Sequence, residues 1–123
     1  MDTGLEASAE MTVTHDDTAE RLGSGDVPVL STPSLIALCE RATMAALHGR
    51  VDHGQTTVGL SIQIDHLRPT PVGEQVWAEA HLDKIAGRKL CFSVAAKDGR
   101  GLVGAGRVTR VLVDIEHFMD KTR

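Results

Sequence analysis

The sequence predicts an α+β domain in which one long helix lies against a mostly antiparallel sheet of about five strands. Three observations carry this. A single stretch has helical periodicity, with Leu35, Leu38, Cys39, Ala42, Ala45 and Ala46 falling on one stripe. Downstream of it the period changes to two. The alternating stretches are separated by short turn signals, and short loops join neighbouring strands antiparallel.

Taken in order, residues 1–9 read as a flexible lead-in to a single domain spanning 10–123. Met11-Thr12-Val13-Thr14-His15 alternates weakly, as a first strand would, and Gly23-Ser24-Gly25-Asp26 has loop chemistry. Thr32 followed by Pro33 is a helix start, with a hydroxyl at the N-cap and proline at the first helical position. Small residues in the second half of the helix let it approach a sheet closely, and His48-Gly49 is a stop.

Val58, Leu60, Ile62 and Ile64 then alternate with Gly59, Ser61, Gln63 and Asp65. Val76, Ala78, Ala80 and Leu82 form a second apolar face, and Leu90, Phe92, Val94 and Ala96 a third. Val103, Ala105, Arg107, Thr109, Val111 and Val113 share one face of a last long strand. Pro71-Val72-Gly73, Ala86-Gly87-Arg88 and Lys97-Asp98-Gly99 separate the strands, and Asp98-Gly99 is a strong hairpin signal. The tail from Ile115 has room for one or two helical turns. A strand, a helix and four closely linked strands imply a meander with the helix on one face. The other face retains apolar positions that need cover, so a homodimer or higher assembly is expected.

Composition removes several function classes. A chain of 123 residues suits one core, and 41% apolar residues is too many for a disordered chain. Trp77, Phe92 and Phe118 are the only aromatics, and the formal net charge is −4 with no basic block, which argues against nucleic-acid binding. Cys39 and Cys91 lack CxxC spacing and read as buried free thiols. The histidines show no metal-ligand spacing, and no glycine-rich phosphate loop is present, so neither metal nor cofactor is expected. No run reaches the ~20 apolar residues of a membrane span, and no secretory leader is legible, which suggests a cytoplasmic protein without membrane contact.

Three polar residues interrupt this pattern: Thr32 at the helix start, Glu40 within the apolar helix, and His66 where a strand runs into the Pro/Gly turn. A hydroxyl, a carboxylate and an imidazole are the groups that acyl transfer uses. Each has an ordinary reading too. A cap explains Thr32, a solvated helix face explains Glu40, and a surface position explains His66. Thr32 and Glu40 are eight residues apart, which is ~12 Å along a straight helix. They do not touch directly, so a site using both would be composite, with groups from two subunits meeting at a dimer interface. Free N–H groups at the helix start would serve as oxyanion donors.

Val29-Leu30-Ser31-Thr32-Pro33 before a helix with Glu40, Val58-Gly59 opening a strand, Asp65-His66-Leu67-Arg68-Pro69-Thr70-Pro71-Val72-Gly73, and Asp98-Gly99 through Gly104-Ala105-Gly106-Arg107 fit together in order and spacing. Over residues 10–120 the chain thereby resembles the fluoroacetyl-CoA thioesterase-like family of the hot-dog fold. The resemblance implies an acyl-CoA thioesterase acting on a short-chain acyl-CoA through a Thr/Glu/His triad carried by Thr32, Glu40 and His66. It places Gly59 near the thioester. Coenzyme A would need cations, and Arg68, two residues past His66, is the first candidate. The family's fluoroacetyl specialist has an aromatic-rich lid before the helix, whereas Arg21–Val29 is short and lacks Phe, so the acyl group stays open. A non-catalytic acyl-CoA-binding module is the alternative from another class. A hot-dog enoyl-CoA hydratase fits less well, because the helix offers no acid–histidine pair.

Overall fold

The computed structural model describes residues 1–123. Strand β1 spans Glu6–Thr12, followed by a 3₁₀ turn at His15–Asp17 and a short helix α1 at Ala19–Leu22. The long helix α2 covers Thr32–Leu47. Strands β2 (Gln55–His66), β3 (Gln75–Ala86), β4 (Lys89–Asp98) and β5 (Gly101–Asp114) follow, and a final helix α3 covers Ile115–Asp120. No helix is long and apolar enough to cross a membrane.

All strand pairs are antiparallel, in the order β1-β3-β4-β5-β2. This corrects two expectations. The first strand starts at Glu6 rather than near Met11, so residues 6–9, expected within the flexible lead-in, pair with β3 from Glu6↔His81 onward. Its alternation is muted because the inward positions are the small or flexible Ala7, Ala9 and Met11, which pack only partly buried against the core. The sheet is also no simple meander. Only β3, β4 and β5 follow one another; β2 pairs with β5 at the far edge. Residues 67–74 must therefore cross the end of the sheet to reach β3.

In β3, β4 and α2 the core is where the periodicity put it, except that Ala45 is exposed; in β5 the buried Val108 and Arg110 lie on the face opposite Thr109 and Val111. Val76, Ala78, Ala80 and Leu82 of β3, and Leu90, Phe92, Val94 and Ala96 of β4, are buried against Leu35, Leu38, Cys39, Ala42 and Ala46 of α2. Cys39 is a buried free thiol, whereas Cys91 is a free thiol that is only half-buried.

Two local departures bear on the polar residues of α2 and β2. The N-cap of α2 is Ser31, one residue earlier than expected, and its hydroxyl accepts from the Ser34 N–H. Thr32 thus occupies the first helical position, and its own hydroxyl is released from capping. In β2 the register shifts between Gly59 and Ser61. A bulge there breaks strict alternation. Thr57, before the shift, is buried, while Ile62 and Ile64, after it, pack against the core and Leu60 is exposed.

Candidate active site

Helix α2 runs antiparallel along β2, and three contacts fix its alignment. At its start Thr32 Oγ1 lies 2.8 Å from His66 Nδ1. In its middle, Glu40 Oε2 lies 2.8 Å from where a Cβ on Gly59 would be. Near its end the Thr57 hydroxyl donates to Met44 Sδ at 3.5 Å. Of the residues singled out in the sequence, Thr32 and His66 are thus brought together as one pair, and Glu40 and Gly59 as another.

At the first pair, Ser31 accounts for two helix N–H groups: Ser34 N–H donates to its hydroxyl at 3.2 Å and Leu35 N–H to its carbonyl at 3.0 Å. Proline at the next position has no N–H. The expected set of oxyanion donors at the helix start is therefore narrowed to the Thr32 N–H. His66 Nε2 is buried and has no hydrogen-bond partner within the chain. Burial pulls the His66 imidazole below its ordinary value of 6.5, and the backbone of Arg68 offsets this only in part. The ring is neutral at pH 7. In the tautomer whose Nδ1 accepts from the Thr32 hydroxyl, Nε2 carries the proton.

At the second pair stands a buried arginine, Arg110, that the sequence pattern did not single out. Arg110 Nη1 donates to Glu40 Oε2 at 3.2 Å, its Nε to Thr57 Oγ1 at 2.9 Å and its Nη2 to the Thr57 carbonyl at 2.9 Å. Burial lowers the pKa of its guanidinium and the Glu40 carboxylate opposes that shift; it remains a cation. Strand period argued the other way, since the face shared by Thr109, Val111 and Val113 read as the apolar one, whereas Val108 and Arg110 are the buried positions here. The Glu40 side chain is one-third exposed, leaving part of its carboxylate free. The neighbouring Cys39 thiol is pushed up to about 11, by burial first and by Glu40 second, so it supplies no thiolate.

Arg68 has a protein partner. Its Nη2 donates to Asp98 Oδ1, and about a third of its side chain is exposed. Open clefts of about 540 and 570 Å³ lie on the outer sheet face, lined by residues such as Glu79, His81, Cys91 and Arg107, and include none of Thr32, Glu40 or His66.

The fluoroacetyl-CoA-specific thioesterase family, FlK, matches residues 13–116. A curated fluoroacetyl-CoA thioesterase from Streptantibioticus cattleyicolor is 32% identical over 95 residues, which is 77% of this chain and 68% of that protein. A solved structure of FlK is similar with a TM-score of 0.93 at 27% identity, covering 100% of this chain and 96% of FlK. An FlK variant in complex with fluoroacetate and CoA gives a TM-score of 0.90 at 27% identity, over 96% of this chain and 99% of that one. A thioesterase superfamily member from Thermus thermophilus gives a TM-score of 0.91 at 26% identity, over 99% of this chain and 90% of that one. Fold, element order and these relatives agree: the chain belongs to the fluoroacetyl-CoA-specific thioesterase family of hot-dog proteins and is a thioester hydrolase.

Proposed function

We propose that this protein hydrolyses short-chain acyl-CoA thioesters with Thr32, Glu40 and His66, in a site completed by a second copy of the chain. The observation that carries the reading is the 2.8 Å contact between Thr32 Oγ1 and His66 Nδ1. It gives a neutral imidazole a fixed orientation, with its protonated nitrogen free to serve the substrate. CoA as the carrier is supported by the CoA complex of an FlK variant.

The chemistry needs an oxygen delivered to the carbonyl carbon and a proton delivered to the departing thiolate. Glu40 supplies the first. As nucleophile its carboxylate adds to the thioester carbon, CoA thiolate leaves, and water then cleaves the acyl-enzyme anhydride. As general base it takes a proton from a water that attacks directly. For the second, the neutral His66 ring donates a hydrogen bond from Nε2–H to the departing thiolate, which takes its proton from Glu40 in the general-base route or from solvent in the anhydride route, and the Thr32 hydroxyl holds the ring. Arg110 keeps the Glu40 carboxylate in place, and Gly59 leaves the space beside it in which a thioester fits. Arg68 was a candidate for CoA phosphate, but its pairing with Asp98 favours a role in holding its own loop.

Spacing supports the composite assembly. Thr32 and Glu40 are ~12 Å apart along α2. The free edge of β2 offers a symmetric join, because β2 pairs only with β5. Antiparallel pairing of two β2 edges about a two-fold axis near Ile62 would bring His66 of one protomer beside the partner's Gly59. The buried Nε2 would then face a thioester held by the partner's Glu40. Two such sites form per dimer.

Acetyl-CoA hydrolysis followed by free thiol release tests this. Glu40→Gln and His66→Ala should each lower kcat by about a hundredfold or more while CoA binding persists. Retained turnover in both variants would remove the assignment. A single turnover in H₂¹⁸O that leaves label on the Glu40 carboxylate would establish an anhydride cleaved at the Glu40 carbonyl, because the general-base route puts all of the label in acetate.

A further inference from the structure

His66 is the last residue of β2 and leads into the crossover to β3, and one buried carboxylate holds that crossover down. Asp98 ends β4 at the tip of the β4–β5 hairpin, and its side chain is fully buried. As part of an Asp-Gly turn it needs only to bond its own backbone, and it does: Arg100 N–H donates to Oδ1 at 2.8 Å. The same carboxylate also takes two side chains from the crossover. Arg68 Nη2 donates to Oδ1, and Thr70 Oγ1 donates to Oδ2 at 2.8 Å. Burial would raise the Asp98 pKa, but these donors outweigh it and hold the carboxyl below its usual range. It is therefore an anion at the pH of activity.

From this anchor, two short backbone routes lead to the proposed catalytic pair. Arg68 is two residues past His66, and the Leu67 and Arg68 N–H groups donate to the Val103 carbonyl at 2.7 and 3.3 Å, fixing the path between. Thr70 is fully buried, and its carbonyl accepts from Leu30 N–H at 2.8 Å, two residues before Thr32. Val29 also bridges to Pro71. Thr32 and His66 lie far apart in sequence on different elements, so their 2.8 Å contact depends on how these two backbones are registered. The single carboxylate registers both.

We infer that Asp98, on the β4–β5 hairpin, is a positioning residue for the Thr32–His66 pair, acting through Arg68 on one side and Thr70 on the other. This rests on the proposed catalytic role of that pair. Loss of either arm lets the crossover drift, and a sub-ångström drift is enough to lengthen a hydrogen bond out of its useful range.

Two substitutions and two controls test it in the full chain. Asp98→Asn keeps the shape and removes the charge. Thr70→Val removes one bond and leaves Arg68 paired, which guards against failure to fold. Both should lower kcat for acetyl-CoA by about tenfold with KM changed less than about twofold, well below the melting temperature. In both, the His66 imidazole should titrate closer to its ordinary value when followed by NMR, as solvent reaches the ring. A lowered melting temperature with wild-type kcat and wild-type His66 titration would reduce Asp98 to a structural residue and overturn the inference. Thr32→Val and His66→Ala identify the other failure: if both retain wild-type turnover, the pair is not catalytic and Asp98 has nothing to position.

Discussion

At the scale of single residues, the decisive property is the protonation of His66. Its pKa lies below 6.5 because desolvation of the ring outweighs the favourable Arg68 backbone. Only a neutral ring accepts from Thr32 at Nδ1. The rate should therefore be flat above pH 6.5 and fall on the acid side with a midpoint below that value, measured as kcat for acetyl-CoA across pH. Stability follows the same sign. The unfolded chain binds the proton more readily, so the contribution of His66 is complete above pH 6.5 and is lost as pH falls through the depressed folded value. Thr32 was legible as a polar residue at a helix start, but its contact with His66 was hidden by the expected cap. Once Ser31 takes that position, the Thr32 hydroxyl is left for the imidazole. Asp98 was hidden in the same way, because a turn signal accounts for an Asp-Gly pair without any further partner.

At the scale of elements, helix α2 and strand β2 form the proposed site by running alongside each other, and the bulge after Gly59 decides what β2 presents. The alternation of Val58, Leu60, Ile62 and Ile64 suggested one continuous apolar face. Hydrophobicity alone does not register an extra residue in a strand, so the shift between Gly59 and Ser61 was not legible. Its consequence is that Gly59 faces Glu40 where a strict alternation would have placed it on the opposite face from Ile62. A Cβ there would sit 2.8 Å from Glu40 Oε2 and 4.0 Å from Arg110 Nη1. The obstructing atom is the far end of a flexible side chain, so the backbone has no reason to move. Gly59→Ala should lower kcat/KM for acetyl-CoA by about tenfold and lower the melting temperature as well, by pushing the carboxylate off its buried Arg110 partner. Wild-type kcat/KM in Gly59→Ala would mean that the space beside Glu40 is not used by the substrate.

At the scale of the whole molecule, the core was readable because β3 and β4 alternate cleanly and α2 carries one apolar stripe. The strand order was not, since short linkers look alike whether a chain turns back or crosses to a new neighbour. That crossover leaves β2 as a free edge twelve residues long. Long unpaired edges invite pairing with another chain. Leu60 is 55% exposed on this strand, and Met44 is 43% exposed on the adjoining helix. A charge at Leu60 should therefore disfavour the join while touching none of Thr32, Glu40 or His66. Leu60→Asp is expected to run as a monomer in light scattering coupled to size exclusion, with its circular dichroism unchanged. If each site draws His66 from one protomer and Glu40 from the other, that monomer should lose roughly a hundredfold in kcat, the scale expected when catalytic groups no longer share one geometry. Mixing inactive Glu40→Gln with inactive His66→Ala protein checks the same geometry from the opposite direction. A heterodimer with one intact composite site should recover measurable thiol release, whereas sites built within single protomers would recover none.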